Sequence, residues 1–245
     1  MLADPFRGAG LFLQGIGLMF KPGVKRFVAI PLTINVVLFA IVIAVLAGQF
    51  DELINWMLPS LPSWLSWLES ILWFIFALLA ALMVFFGFSL LANLVAAPFN
   101  GLLAEAVERH LGGQEPPPAS SITAAIKGAP GAIFDEIRKL IYALLWAIPL
   151  LIISIIPIFT PFAPFLWAIY GAWMLSLEYA DFPMGNHNIR FKDQRQKLRR
   201  NRLLSLSFGG TTLLATMIPV LNFLVMPAAV CGATSMWVKR LSQQS

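Results

Sequence analysis

Long stretches without any charged side chain alternate with short polar segments along this chain. The first stretch, 27–47, would be about 31 Å long as an α-helix, which matches a hydrocarbon core of about 30 Å. The second, 71–97, is long enough to cross a bilayer with some tilt. We therefore predict two transmembrane helices. The segment between them, 48–70, contains acidic residues, prolines and tryptophans and is typical of an interfacial loop.

Two later charge-free blocks, 140–177 and 203–238, carry prolines near their middle and charges at both ends. This pattern predicts two helical hairpins that enter and leave the membrane on one face, with tips at 158–164 and 219–227. Their arms reach roughly 24 to 27 Å. Two interpretations stay open: hairpins that penetrate only part of the membrane, and ordinary hairpins that cross it fully. A weak internal repeat aligns Pro157 with Pro219 and Pro164 with Pro227.

The remaining segments have amphipathic or interfacial patterns. Residues 5–20 are apolar but punctuated by glycine and too short to cross, which predicts an interfacial helix. Apolar residues recur at helical spacing in 100–139, which predicts amphipathic helices interrupted near Gly112. The expected fold class is therefore an all-α integral membrane protein, with 1–245 forming a single polytopic membrane domain.

Composition supports this assignment, and charge predicts the orientation of the chain in the membrane. Hydrophobic residues make up 59% of the chain and charged residues 12%, and the mean hydropathy is +0.80, well above the values typical of soluble domains. In the predicted topology all 17 Lys and Arg residues fall on one side. The positive-inside rule then places both termini in the cytoplasm. We interpret the basic segment 190–202 as a topology signal that contacts anionic lipid, in preference to a ligand site.

Enzyme and metal motifs are absent from the sequence. It contains no GxxxxGK[ST] loop, HExxH pair or CxxC pair, which argues against nucleotide hydrolysis and against a metal site. The single cysteine, Cys231, lies in an apolar run and is expected to be a small core residue. His110 and His187 stand alone and are interpreted as interfacial hydrogen-bonding residues. We therefore expect a protein that is not an enzyme, has no cofactor and does not bind nucleic acid.

A cationic turn precedes the first predicted transmembrane helix. Glycines and two cations at the start of a helix supply backbone N–H groups and positive charge, which suit a tetrahedral oxyanion such as sulfate or phosphate. In the alternative interpretation the two cations only anchor the helix and set its orientation. The candidate anion-binding residues are Gly17, Leu18, Gly23, Val24, Lys25 and Arg26.

Several polar residues lie within or beside the apolar stretches. Polar groups at membrane depth are costly and often mark a substrate path. Three of them, Glu105, Glu108 and Arg109, could instead form a solvated helix face. The candidate pore-lining residues are Asn35, Asn93, Asn100, Glu105, Glu108 and Arg109.

Five ordered strings are similar to those of a known family: PGVKRFV (22–28), NLVAAPFNGLLAE (93–105), EYADFP (178–183), MIPVLN (217–222) and MPAAVCGAT (226–234). Together the chain resembles the CysZ family of bacterial sulfate permeases. The resemblance implies an inner-membrane protein that imports sulfate for cysteine biosynthesis and binds it at the Gly-Leu and Pro-Gly-cation motif. Lys25 stands where that motif leads us to expect arginine, so the charge is kept but the bidentate fork is lost.

The function expected from the sequence is thus sulfate import without ATP hydrolysis by the chain itself. Hairpins that stop short of the far interface would leave one protomer without a complete path, which favours a homo-oligomer. Sulfate and membrane lipids are the expected partners. Two alternatives stay open: a permease for another oxyanion (sulfite, thiosulfate or phosphate), and a membrane scaffold that transports nothing.

Overall fold

The computed structural model describes residues 4–57, 68, 71, 73–75, 77–78, 99–113 and 122–243, and all regular secondary structure in these residues is helical. The all-α prediction is confirmed to that extent. A short 3-10 helix, Thr160–Phe162, precedes α5, and a π-helical turn, Trp237–Leu241, follows α8. The helices are α1 (Asp4–Leu18), α2 (Lys25–Met57), α3 (99–110), α4 (Ile122–Ile155), α5 (Ala163–Asn186), α6 (Phe191–Arg200), α7 (Arg202–Thr216) and α8 (Pro219–Met236).

The chain forms two compact units, one made of Met1–Val28 and Asn100–Ser245 and the other of Ala29–Phe99. In the second unit α2 continues past the predicted end of the first transmembrane helix to Met57. No proline follows Pro31 until Pro59, so nothing in the backbone forces the helix to stop earlier. In the predicted helix 71–97, residues 71, 73–75 and 77–78 are helical. The rest of that helix, including Asn93, lies outside the described residues.

The first unit is held together by close helix crossings at glycines. A Cβ atom added to Gly15 of α1 would overlap the Ala228 carbonyl oxygen of α8, and one added to Gly209 of α7 would overlap the Ala172 carbonyl of α5. Small residues at such points let two backbones approach closely, which is the usual way that helices pack in membranes. The core of this unit therefore depends on main-chain proximity as well as on large apolar side chains.

The two hairpins differ at their tips. In the first, α4 ends at Ile155 and α5 begins at Ala163, so the connection falls where the tip is predicted. In the second, α7 ends at Thr216 and α8 begins at Pro219 and runs through Pro227. The predicted tip at 219–227 is therefore wrong. Proline at the first position of a helix has a favourable φ and no N–H to leave unpaired, so it starts the helix here.

The helix α4 is continuous across the predicted boundary between the amphipathic segment and the first hairpin arm. Among the described residues, one helical stretch, Phe134–Ile155, has the length and apolar composition needed to cross a membrane. Many of its large apolar side chains are exposed, including Leu145 and Trp146. An exposed apolar face of this length is consistent with a lipid environment.

Candidate functional site

The α1–α2 junction is a tight turn anchored by apolar side chains. Leu18, Met19 and Val24 are buried in the core of the first unit, whereas Gly23 between them is exposed. Gly23 has a φ of +85°, a conformation that other residues adopt at a cost because of their Cβ atom. The apolar anchors fix the turn to the helices and leave its polar residues at the surface.

The backbone of the turn is largely satisfied internally. The Lys21 amide donates to the Leu18 carbonyl at 3.0 Å, and the Lys21 carbonyl accepts from the amides of Val24 at 3.1 Å and Lys25 at 3.0 Å. The Gly23 amide has no hydrogen-bond acceptor among the described residues. A ligand at this turn would therefore meet the Gly23 amide, while the Val24 amide is already engaged.

Positive charge is concentrated at the same place. Lys21, Lys25 and Arg26 are all exposed, and no carboxylate among the residues described here forms an ion pair with them. The Arg26 guanidinium lies 4.7 Å from the centroid of the Phe27 ring. These cations surround the N-terminus of a 33-residue helix, where the helix dipole adds partial positive charge. The turn can attract an anion without breaking an existing ion pair.

The structure brings all six sequence-predicted anion-site residues to this junction. The side chains of Leu18 and Val24 point into the core, so these two residues can contribute only through their backbone. Gly17 lies exposed in the last turn of α1. Lys21 is a third cation of the turn, and it was missed in the predicted set although it directly precedes the PGVKRFV string.

The polar residues of α3 fall on two different sides. Glu105 and Arg109 form an ion pair on the accessible side of the helix. Glu108 is 1% exposed, lies 2.9 Å from Nε2 of His187 and accepts a hydrogen bond of 3.0 Å from Nε1 of Trp237. A buried carboxylate requires such partners, because an unpaired one would be costly to desolvate. Glu108 thus ties α3 to the chain around α5 and α8.

Among the other predicted pore residues, Asn100 belongs to the first unit of the chain and Asn35 to the second. Asn100 is buried, and its amide nitrogen lies 3.6 Å from the Met226 sulfur. Asn35 belongs to the second unit, and its Oδ1 is a buried atom with no hydrogen-bond partner among the described residues. Asn93 lies outside those residues. Glu105 and Arg109 are two predicted pore residues that form an ion pair with each other.

A second polar cluster was missed by sequence reasoning. Lys139 is 8% exposed, and its Nζ lies 2.6 Å from Asp181, 3.2 Å from Glu136 and 3.7 Å from Glu178. Gln194 donates to Asp181 at 2.6 Å. The cluster borders a cavity of about 280 Å³. The three-residue spacing of Glu136 and Lys139 could have predicted their ion pair on one helix face. The contact between Lys139 and Asp181 could not be predicted in this way, because these residues are distant in sequence.

Comparison with known proteins gives a consistent result. The family model described as "Sulfate transporter CysZ/Etoposide-induced protein 2.4" matches residues 11–227. The chain is 45% identical over 239 residues to the "Sulfate transporter CysZ" of Pseudomonas fluorescens (strain Pf0-1), covering 98% of this chain and 96% of that protein. It is 40% identical to the protein of the same name from Pseudomonas aeruginosa (strain LESB58), covering 95% and 94% of the two chains. For the Salmonella typhimurium protein of that name, identity is 45% and coverage is 96% and 92%.

Proposed function

This chain belongs to the sulfate transporter CysZ/etoposide-induced protein 2.4 family, and on that premise we propose that it is a sulfate permease that imports sulfate across the bacterial inner membrane for cysteine biosynthesis. It is a membrane transporter and not an enzyme. Relatives named as sulfate transporters align with it over nearly its whole length, so the proposal covers the entire chain.

The observation that carries the proposed binding site is the group of cations at the N-terminus of α2, which form no ion pair with a carboxylate among the described residues. Sulfate carries two negative charges and several acceptor oxygens, so it benefits from several donors arranged around one point. Lys25 and Arg26 would supply charge-assisted hydrogen bonds, and the Gly23 amide would donate from the backbone. The backbone at Gly17, Leu18 and Val24 would shape the turn around the anion.

The path beyond this site is also a proposal. Asn35, Asn93, Asn100, Glu105 and Arg109 are the residues we assign to it. The Oδ1 of Asn35 is buried and has no hydrogen-bond partner among the described residues, which supports a polar path, because a buried polar atom is normally hydrogen-bonded to protein, water or ligand. In the Glu105 and Arg109 pair the arginine offsets the carboxylate, which would otherwise repel a dianion. Glu108, held by His187 and Trp237, is better suited to positioning α3.

The energetics of sulfate entry limit the mechanism. Moving one charge against an inside-negative potential costs about 2.3 kcal/mol per 100 mV, so the sulfate dianion costs about 4.6 kcal/mol. The sequence has no P-loop to meet this cost. Import would therefore depend on rapid consumption of sulfate inside the cell, a steep concentration gradient or coupling to another ion. We further propose a homo-oligomer with both termini in the cytoplasm.

Uptake of radiolabelled sulfate into proteoliposomes tests the proposal. The unmodified protein is compared with Lys25→Ala/Arg26→Ala and with Lys192→Ala/Arg200→Ala, a control that loses the same charge from exposed positions of α6. We expect sulfate-selective uptake that the first double substitution abolishes and the control retains. Inhibition by excess phosphate, sulfite or thiosulfate equal to that by unlabelled sulfate would favour the broader oxyanion permease. Uptake no higher than in empty vesicles, with folding confirmed, would favour the scaffold.

A further inference from the structure

An apolar groove of about 420 Å³ opens between α4 and α5. The two helices are joined near the hairpin tip, where Nε1 of Trp167 donates to Oγ of Ser154 at 3.0 Å. On the side of this contact away from the hairpin tip, α4 and α5 leave a cleft. Its outer residues, Trp146 and Ile169, are 56% and 57% exposed. We call this cleft the α4–α5 groove, and its apolar lining includes Trp146, Pro149, Leu150, Ile153, Leu166 and Ile169.

The length of the α4–α5 groove fits one half of a bilayer. Its lining runs along α4 from Tyr142 to Ile153, a rise of about 17 Å at 1.5 Å per residue. One leaflet of a hydrocarbon core of about 30 Å is about 15 Å thick. The groove also lies within Phe134–Ile155, the described stretch that is long and apolar enough to cross a membrane. Its dimensions therefore suit a single acyl chain.

One end of the groove is polar and positively charged. Tyr142 accepts a hydrogen bond of 2.9 Å from Nε1 of Trp173 at this end. The Arg195 guanidinium lies 5.0 Å from the Tyr142 ring centroid and 6.0 Å from that of Phe191. Within the described chain Arg195 has no carboxylate partner. A half-buried cation therefore lies next to the end of an apolar groove.

The charges around Arg195 make this end of the groove more positive. The helix α6 carries cations at 192, 195, 197, 199 and 200 against one carboxylate, Asp193. The nearby carboxylates already have cationic partners, because Asp181, Glu136 and Glu178 share Lys139 and Asp135 binds both Arg138 and Arg190. The polar end of the groove is therefore left with a net positive environment, which favours an anionic group.

We propose that the α4–α5 groove binds one anionic phospholipid, with an acyl chain along the apolar lining and the headgroup phosphate on Arg195. The chain is accommodated by the hydrophobic walls, and the phosphate accepts hydrogen bonds from the guanidinium, whose fork matches phosphate geometry. A second copy of the protein would cover the apolar lining equally well but would not account for the cation at its end. Charge complementarity therefore selects the lipid.

Native mass spectrometry of the delipidated, detergent-solubilised full-length protein tests this assignment. Phosphatidylglycerol or phosphatidylcholine with identical acyl chains is added over the same series of concentrations, and retained lipid is counted per protomer at each concentration. One additional cation near an anionic lipid contributes about 1 kcal/mol, so phosphatidylglycerol should be retained at about fivefold lower concentration than phosphatidylcholine. Arg195→Gln should remove this preference. Arg200→Gln, which loses the same charge from an exposed position of α6, should keep it.

A groove-filling variant, Leu166→Trp, tests the position of the acyl chain and should lower retention of both lipids. Circular dichroism and elution volume check the fold of each variant. The lipid comparison on the unmodified protein stands even if a variant fails to fold. Equal retention of the two lipids by the unmodified protein would overturn the proposal. Undiminished retention by folded Leu166→Trp, or disulfide cross-linking of two protomers through Trp146→Cys, would do the same.

Discussion

Removing the charge of Lys25 should weaken sulfate binding by a predictable amount. Lys25 is exposed at the start of α2, and its own amide donates to the Lys21 carbonyl, so Lys25→Gln removes the charge and leaves this backbone hydrogen bond in place. Glutamine is also a good helix former, so the first turn of α2 should persist. The substitution therefore tests the side-chain charge with little change to the fold.

The magnitude follows from the exposure of the site. Two unit charges 4 Å apart in bulk water interact with about 1 kcal/mol, so a lysine and a sulfate dianion interact with about 2 kcal/mol. Bulk water is the appropriate limit because Lys25 is exposed. Screening at physiological salt, where the Debye length is about 8 Å, reduces this value. We therefore expect the dissociation constant for sulfate to rise about tenfold to thirtyfold.

Isothermal titration calorimetry of sulfate into the solubilised full-length protein measures this change directly. Lys192→Gln, which loses the same charge from an exposed position of α6, is the matched control and should bind sulfate normally. Lys25→Arg should bind at least as tightly as the unmodified protein, because the guanidinium can contact two sulfate oxygens at once. Equal weakening by Lys25→Gln and Lys192→Gln would refute a specific site, since only net charge would then matter.

Three further predictions concern stability and are measured by thermal unfolding in detergent. Gly15→Ala should lower the melting temperature because its Cβ would overlap backbone atoms of α8. The control Gly10→Ala has nothing within 4 Å of its Cβ and should be neutral or stabilising. Similar melting temperatures for the two variants would contradict the close crossing of α1 and α8. Glu108→Ala leaves two donors unpaired and should cost about 2 to 6 kcal/mol, against less than about 1 kcal/mol for Glu105→Ala at an exposed ion pair. Lys139→Met should destabilise strongly because it leaves a group of carboxylates without their shared cation; an unchanged melting temperature would show that these carboxylates tolerate its loss.

Much of the local structure follows from the sequence. Charge-free runs predict helices because a backbone in an apolar environment must satisfy its own hydrogen bonds, and the described residues of those runs are helical except at 156–159 and 217–218. The predicted tip at 158–164 lies at the connection between α4, which ends at Ile155, and α5, which begins at Ala163. The PGVKR string locates the cationic turn, because Gly23 permits the positive φ that this turn requires.

By itself, then, the sequence determined the helical class, the family and the place of the cationic turn, because each depends on residues close together in the chain. Only the tertiary structure decided that Glu108 is buried while Glu105 is partly exposed, that Lys139 meets Asp181, and that Pro219 starts a helix. Helical spacing shows which residues share a face, but it does not show which face meets another helix. Desolvation and partner choice depend on that packing, which distant parts of the chain decide together.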